Sequence, residues 1–282
     1  MGRVPVRLRS LLFAPASRPD VVAKLPRSHP DGVVIDLEDA VPPDAKVQAR
    51  GHAREHGGRL ARDHPELAVY VRVNAVHSEW FAEDVADALD PALAGIVVPK
   101  LEHVDQVSVV ADALDSVGLG DAHVIAGIET AAGVERVGGL LRPPVGVAYF
   151  GAEDYVADMG GVRTDSGFEV LYARSRVALA ARLAGVHAID QIVAAFGDDE
   201  RFFGDAREGR AIGYRGKLCI HPAQVRIANL VFSPSEEEIE HARRLLAAYE
   251  VASARGEAAI AFEGQMIDEP MVRRARATLE GA

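Results

Sequence analysis

The chain is poor in the residues that staple or anchor a protein. Its 282 residues include one cysteine, Cys219, and one tryptophan, and aromatic residues make up 6%. A single thiol excludes an intrachain disulfide framework, which suits a reducing cytoplasm. Cys219 itself reads as a small buried strand residue. No apolar stretch approaches the roughly 18 residues that a membrane span requires. The opening MGRVPVRLRSLLFAPASRPD puts bases ahead of a short apolar stretch, but Pro15 closes it too early for a secretory signal. Positive charge is also scarce. Thirty-one Lys and Arg against 42 Asp and Glu give a formal net charge of −11, which disfavours a nucleic-acid partner. No G-x-G-x-x-G follows a candidate strand, so a nicotinamide cofactor is not indicated, and no G-x-S-x-G nucleophile elbow occurs.

What is present is a rhythm. With 49% hydrophobic and 26% charged residues, the composition is that of a soluble globular protein with a substantial core. Eight short apolar runs lie at 8–14, 32–37, 68–73, 95–98, 123–128, 146–150, 186–189 and 217–220. Just past them stand Arg18, Glu38, Arg72, Lys100, Glu129, Asp154, Asp190 and His221, with Arg72 at the end of its own run. The first six runs alternate little, as strands covered on both faces do. Helix-length segments separate the runs, with Asp44 expected to cap a helix over 45–56 that Gly57-Gly58 stops. The pattern predicts an α/β fold, a (β/α)8 TIM barrel over residues 1–232, with reactive groups on the C-terminal rim of the strands. Ser233-Pro-Ser-Glu-Glu-Glu238 is a helix start with capping hydroxyls, a proline at the first helical position and acids facing the dipole. Residues 233–282 form a C-terminal helical extension, too small for a separate domain and expected to dock on a neighbouring subunit.

The strand ends carry the chemistry. Glu129 closes the fifth run and Asp154 follows the sixth, so a barrel sets these two acids side by side. Neighbouring buried carboxylates repel unless a cation intervenes, and Mg²⁺ typically takes one or two carboxylates and leaves its other positions to water and substrate. The bland alternative is two acids capping adjacent helices. Arg72 and Asn74 end the third run. An inward guanidinium needs a carboxylate or phosphate, from a structural pair with Glu38 or Asp39, from substrate, or from both. Of Asp36, Glu38 and Asp39, one or two are expected to bond loop amides and the others to hold metal-bound water or position Arg72. Lys100 is an electrostatic partner for those acids. They oppose the lowered pKa that a Schiff-base lysine requires. Arg18 and Lys24 flank a helix start suited to the phosphates of a bulky substrate, or are solvated surface charges. His52-Ala-Arg-Glu-His56 matches H-x-x-E-H but sits on a polar helix with no third ligand in sight. Gly213-Tyr-Arg-Gly-Lys217 lacks the Ser/Thr of a phosphate loop.

Taken together these residues resemble the HpcH/HpaI aldolase and citrate lyase superfamily, in its citrate lyase β-subunit-like branch. The matching stretches are Arg9-Ser-Leu-Leu-Phe-Ala-Pro15 with Arg18-Pro-Asp and Lys24, Ile35-Asp-Leu-Glu-Asp-Ala-Val41, Val71-Arg-Val-Asn74 and Ile96-Val-Val-Pro-Lys100. They continue with Gly127-Ile-Glu-Thr130, Phe150-Gly-Ala-Glu-Asp-Tyr155, Gly216-Lys-Leu-Cys-Ile-His-Pro222 and Gly264-Gln-Met-Ile-Asp268. The resemblance implies a barrel that assembles as a homotrimer or hexamer, Mg²⁺ held by Glu129 and Asp154, Arg72 on the substrate, and Arg18 and Lys24 on the thioester carrier. It also implies that Asp268 reaches a neighbouring subunit's site as acid/base; read alone, Asp268 is an N-cap ahead of Pro270. Two departures, Pro15-Ala16 where the family often has Pro-Gly and the Pro26-to-Gly32 link into strand two, bear on carrier preference more than on the metal.

The expectation is a cytoplasmic Mg²⁺-dependent carbon–carbon lyase. It cleaves or forms a β-hydroxy acyl thioester of the citryl, malyl or citramalyl type, carried by CoA or an acyl carrier, with an acetyl thioester and a 2-oxo acid as the other partners. Its expected catalytic set is Arg72, Asp268, Glu38 and Asp39. Substrate contacts are expected from Arg72, Glu129, Arg18, Lys24, Asn74 and Lys100. The alternatives are a metal-dependent aldolase acting on free 2-oxo acids, and a carrier-binding component of a larger citrate lyase complex.

Overall fold

The computed structural model describes residues 7–281. Eight parallel strands close into one barrel in sequence order, β1 pairing with β8. They are β1 Ser10–Pro15, β2 Gly32–Asp36, β3 Ala68–Arg72, β4 Gly95–Val98, β5 His123–Ile128, β6 Val145–Phe150, β7 His187–Asp190 and β8 Gly216–Cys219. Helices α1 Pro19–Val22, α2 Lys46–Asp63, α3 Phe81–Ala88, α4 Val104–Ser116 and α5 Ala131–Leu140 cover the first half of the outer wall. After β6 come α6 Ala152–Asp158, α7 Leu171–Ala184, α8 Asp199–Ile212 and α9 Pro222–Val231. The apolar rhythm therefore has the meaning expected of it: each run is a barrel strand, shifted by at most a few residues.

Side chains alternate between the two faces of a strand. Leu11, Val34, Tyr70, Val97, Ile125, Val147, Ile189 and Leu218 fill the barrel interior. Two residues further along their strands, the same parity carries Phe13, Asp36, Arg72 and Tyr149 inward to the C-terminal mouth, where all four line one cavity. Strand register places Asp36 directly beside Arg72. Cys219 is buried in β8, as its sequence context suggests.

Several local expectations need correction. Helix α2 does not stop at Gly57-Gly58 but continues to Asp63. Both glycines are buried because the helix packs closely there. A Cβ at Gly57 would lie 3.0 Å from Ile35 Cδ1, and one at Gly58 would collide with the Asp90 carboxylate. Here the missing side chain serves close packing rather than a break. Asp44 is not the cap of α2; it lies in a 3-10 turn, Pro43–Ala45, and Ala45 occupies the cap position without a side-chain bond.

The outer face of β7 and β8 holds a charged network that the apolar pattern concealed. Lys217 is fully buried and donates to Asp190 Oδ2 and the Gln191 carbonyl, each at 2.8 Å, and to Asp205. Arg174 from α7 bonds both Asp190 oxygens at 2.8 and 2.6 Å. Asp190 thus serves the helix layer and not the mouth.

The chain divides into two compact units, one ending at Leu230 and one beginning at Val231. The second holds α10 Glu236–Ser253, β9 Ile260–Phe262, β10 Gln265–Ile267 and α11 Glu269–Glu280. Ser235 caps α10 in a capping box with Glu238, so Pro234 precedes the cap instead of opening the helix. The tail is not purely helical: β9 and β10 form an antiparallel hairpin whose two turn residues, Glu263 and Gly264, have φ of 47° and 79°. Two positive-φ residues match the twist of a tight hairpin. Ala242, Leu245, Ile267 and Val272 form this unit's own small core. Among the described residues no helix is long and apolar enough to cross a membrane.

Candidate active site

The ends of β1, β2, β3, β5 and β6 surround a cavity of about 350 Å³ at the barrel mouth. Arg72 is its organising cation. It donates from Nε and Nη2 to the two Asp36 oxygens at 2.7 Å each, a bidentate pair between register neighbours. Asp36 Oδ1 also accepts the Glu38 amide at 2.9 Å. Arg72 Nη1 lies 2.8 Å from Glu38 Oε2, an ion-pair contact without hydrogen-bond alignment. The guanidinium carbon stands 5.3 Å from the Phe13 ring centre. All three guanidinium nitrogens thus face protein acids, which holds the planar fork in place.

Lys100 ties the remaining acids together. Its ammonium lies 2.8 Å from Glu38 Oε1, 3.2 Å from Asp39 Oδ2 and 3.4 Å from Asp154 Oδ1. Burial alone would lower its pKa, but the bond to Glu38 and the charges of Glu38, Asp154 and Asp39 outweigh that and raise it above the usual lysine range. Lys100 is therefore a fixed cation, as expected, and unsuited to a Schiff base. Its backbone has φ of 51°, a strained conformation for a residue with a side chain. In that conformation its amide donates to Glu129 Oε2 at 2.9 Å.

Glu129 is buried beneath this rim. The Tyr149 hydroxyl donates to its other oxygen, Oε1, at 2.5 Å. Two glycines make room for the pair. A Cβ at Gly127 would stand 2.6 Å from the Tyr149 hydroxyl oxygen, and one at Gly151 would stand 2.5 Å from Glu129 Cγ. Burial, aided by the charge of Glu38, pushes the Glu129 carboxyl up to about 7. Burial and the neighbouring Glu129 hold the Tyr149 phenol well above its ordinary value. Burial likewise raises Glu38 despite its two cationic partners.

The mouth carries an excess of negative charge. Asp36, Glu38, Asp39, Glu129, Glu153 and Asp154 gather here, six carboxylates against Arg72 and Lys100, with Glu153 also paired to Arg163. Glu129 and Asp154 line the same cavity. Among the described residues no group of three or more His, Cys, Asp or Glu is placed to hold a metal. Two carboxylates with room for water and substrate suit a hard octahedral ion such as Mg²⁺ rather than a thiolate- or imidazole-seeking one. The donor set fits that ion.

Not every expected site residue reaches the cavity. Asn74 is buried below the rim. Its amide nitrogen donates to Asp84 at 2.6 Å and Leu37 at 3.2 Å, and its oxygen accepts from Lys46 at 2.8 Å. These bonds brace the end of β2, and Asn74 is not among the residues lining the cavity. Arg18 and Lys24 are 60% and 55% exposed and both pair with Asp20, away from the cavity lining. Asp268 takes the N-cap position of α11, but its side chain caps no amide. Sequence reasoning missed Tyr149, which looked like filler in an apolar run. The available signal was its inward parity with Val147, together with Gly127 opposite it in register.

A barrel with its charged groups gathered at the strand C-termini defines an enzyme of the (β/α)8 class. The chain belongs to the HpcH/HpaI aldolase/citrate lyase family, whose model matches residues 9–222. It is 53% identical over 282 residues to the citrate lyase subunit beta-like protein of Deinococcus radiodurans, with 99% of each chain covered. It is 33% identical over 303 residues to an L-malyl-CoA/beta-methylmalyl-CoA lyase of Cereibacter sphaeroides, covering 97% of this chain and 94% of that one. CitE from Mycobacterium tuberculosis, solved in complex with magnesium, acetoacetate and coenzyme A, shares the fold with a TM-score of 0.80. The identity is 32%, over 97% of both chains.

Proposed function

We propose that this chain is a Mg²⁺-dependent carbon–carbon lyase acting on β-hydroxy acyl thioesters of the citryl, malyl or citramalyl type. The observation that carries the reading is Glu129. It is buried, bonded by Tyr149 and the Lys100 amide, and lines one cavity with Asp154 and Arg72. Relatives at 53% and 33% identity include a citrate lyase subunit beta-like protein and a malyl-CoA lyase, and a 32%-identical relative binds magnesium and coenzyme A.

Glu129 and Asp154 would hold the ion, which when bound polarises the carbonyl oxygen of the 2-oxo acid. In cleavage the substrate hydroxyl loses its proton to a base and the C–C bond breaks. The bonding pair passes to the α-carbon of the acetyl thioester, which then takes a proton. Arg72, immobilised by Asp36, presents a fixed positive charge to the oxygen on which charge develops. Glu38 is a positioning residue that sets Arg72 and Lys100 relative to each other. Lys100 keeps Asp39 and Asp154 from repelling one another and Glu38. Asp268 from a neighbouring subunit is assigned the proton transfer at the enolate carbon, and Arg18 with Lys24 the carrier's phosphates.

The reading includes a homotrimer or hexamer located in the cytoplasm. Phe168, Tyr172, Leu179 and Leu183, between 54% and 79% exposed along α7 and the turn before it, supply an apolar face for subunit contact. The lone cysteine suits a reducing compartment. The test is Mg²⁺-dependent release of a 2-oxo acid from malyl-, citramalyl- and citryl-CoA. Glu129→Ala and Asp154→Ala should abolish turnover, and wild-type rates in either variant would refute the site.

A further inference from the structure

Behind Glu38 lies a buried cation that takes no part in the chemistry described so far. Lys46 opens α2 and is 4% exposed. Its ammonium donates to the Leu37 carbonyl at 2.7 Å, the Glu38 carbonyl at 3.1 Å and Asn74 Oδ1 at 2.8 Å. It also stands 4.7 Å from the centre of the Trp80 ring. None of these partners carries a charge. Burial pushes the Lys46 pKa down, and the charges of Asp84, Asp36, Glu38 and Asp39 work against that shift. Desolvating an ammonium is costly, and a full set of hydrogen bonds is what keeps it there.

The peptide unit is planar, so fixing its carbonyl also fixes its amide. The unit joining Leu37 to Glu38 has its carbonyl on Lys46 and its amide on Asp36 Oδ1 at 2.9 Å. It is gripped at both ends. The next unit, joining Glu38 to Asp39, has its carbonyl on Lys46 and on the Val41 amide at 3.0 Å. These two planes meet at the Glu38 Cα, so one ammonium restrains the backbone on both sides of that atom. Only the side-chain torsions remain, and the two carboxylate oxygens face Arg72 Nη1 and Lys100 Nζ, each at 2.8 Å. Asn74 anchors Lys46 in turn, because Asp84 holds both its backbone amide and its side-chain amide.

We propose that Lys46 is a positioning residue for the lyase reaction, fixing the backbone on both sides of Glu38 so that this carboxylate holds Arg72 and Lys100 at their working separation. The inference rests on the lyase reading above and adds to it a residue outside the cavity lining. Lys46 touches no substrate and moves no proton. Its loss frees Glu38 to turn, and Arg72 and Lys100 follow.

The test is a double-mutant cycle of Lys46→Met and Glu38→Gln in the full-length protein, with Mg²⁺ and a thioester that the wild type cleaves. Each single variant should lower kcat at least about tenfold, with KM within about threefold of wild type. The double variant should lose little more than the worse single one, because both act through one carboxylate. Losses that multiply would overturn the inference and make Lys46 a general brace. Lys46→Arg, which keeps the charge and the donors, should recover part of kcat. A crystal structure of Lys46→Met supplies a readout apart from turnover: Glu38 should leave Arg72, Lys100 or both. Glu38 unmoved in that structure would overturn the inference whatever the kinetics. Should Lys46→Met not fold, Lys46→Gln, with a neutral donor, takes its place in both experiments. A wild type that cleaves no thioester would remove the lyase and this catalytic role with it, and a displaced Glu38 would then leave the grip on the loop alone standing.

Discussion

The Tyr149 hydroxyl on β6 donates to Glu129 Oε1 at the end of β5 at 2.5 Å, across a gap that only glycine at position 127 leaves open. With the Lys100 amide on Oε2, each oxygen of that carboxylate is fixed by one protein donor. A ligand oriented by surrounding groups binds its ion with less reorganisation.

Tyr149→Phe keeps the ring and removes the donor. Mg²⁺ affinity, read by calorimetry, should fall roughly 10–100-fold. At saturating Mg²⁺ part of the lost turnover should return. Unchanged affinity would reduce the hydroxyl to a packing element.

Protonation of Glu129 gives a second measurement. Its folded-state pKa, about 7, lies above the roughly 4.3 of a free glutamate. Between those values the folded chain without metal keeps a proton that the unfolded chain has released, so this group's contribution to stability declines as pH rises through that window. Binding a cation requires the carboxylate and must expel the proton. Titrations in buffers of different ionisation enthalpy should show about one proton released per Mg²⁺ at pH 6 and little at pH 8. Glu129→Gln should abolish the difference, and a release that does not change with pH would assign the proton elsewhere.

Lys217→Met tests the network on the outer face of β7 and β8. It strands Asp190 and Asp205 beside Arg174 with one cation fewer. Breaking a buried pair from one side typically costs about 3–5 kcal/mol, so the urea midpoint should drop sharply. Because these groups face the helix layer and not the mouth, kcat of the remaining folded enzyme at low temperature should stay within a few-fold of wild type. An unchanged midpoint would mean that the lysine contributes no net stabilisation.

The barrel was legible in the chain because strands covered on both faces carry their signal locally, as uninterrupted apolar runs. That Glu129 and Asp154 line one cavity, and that Arg72 pairs with Asp36, follows from a related feature: barrel order makes consecutive strands neighbours. Parity says more than composition does. Asp36, inward of Val34, became a bidentate partner, whereas Asn74, past the end of β3, turned under the rim toward Asp84 and Lys46. What stayed hidden depends on contacts distant in sequence. Gly57-Gly58 has the composition of a helix stop, but its meaning is set by Ile35 and Asp90. Tyr149 and Lys217 each sit in an apolar run, and only the position of a partner on another element separates a polar anchor from filler.

Asp36 points into the barrel and Asp190 out of it, and each holds an arginine by both oxygens. Sliding either strand by one residue would exchange inside for outside, moving an aspartate into hydrocarbon and parting it from its guanidinium. Apolar side chains on both faces of a strand tolerate such a slip far better than these two ion pairs do. The alignment of the cylinder is thus set by electrostatics on opposite sides of the same wall, and one of the two locks is itself part of the cavity at the mouth.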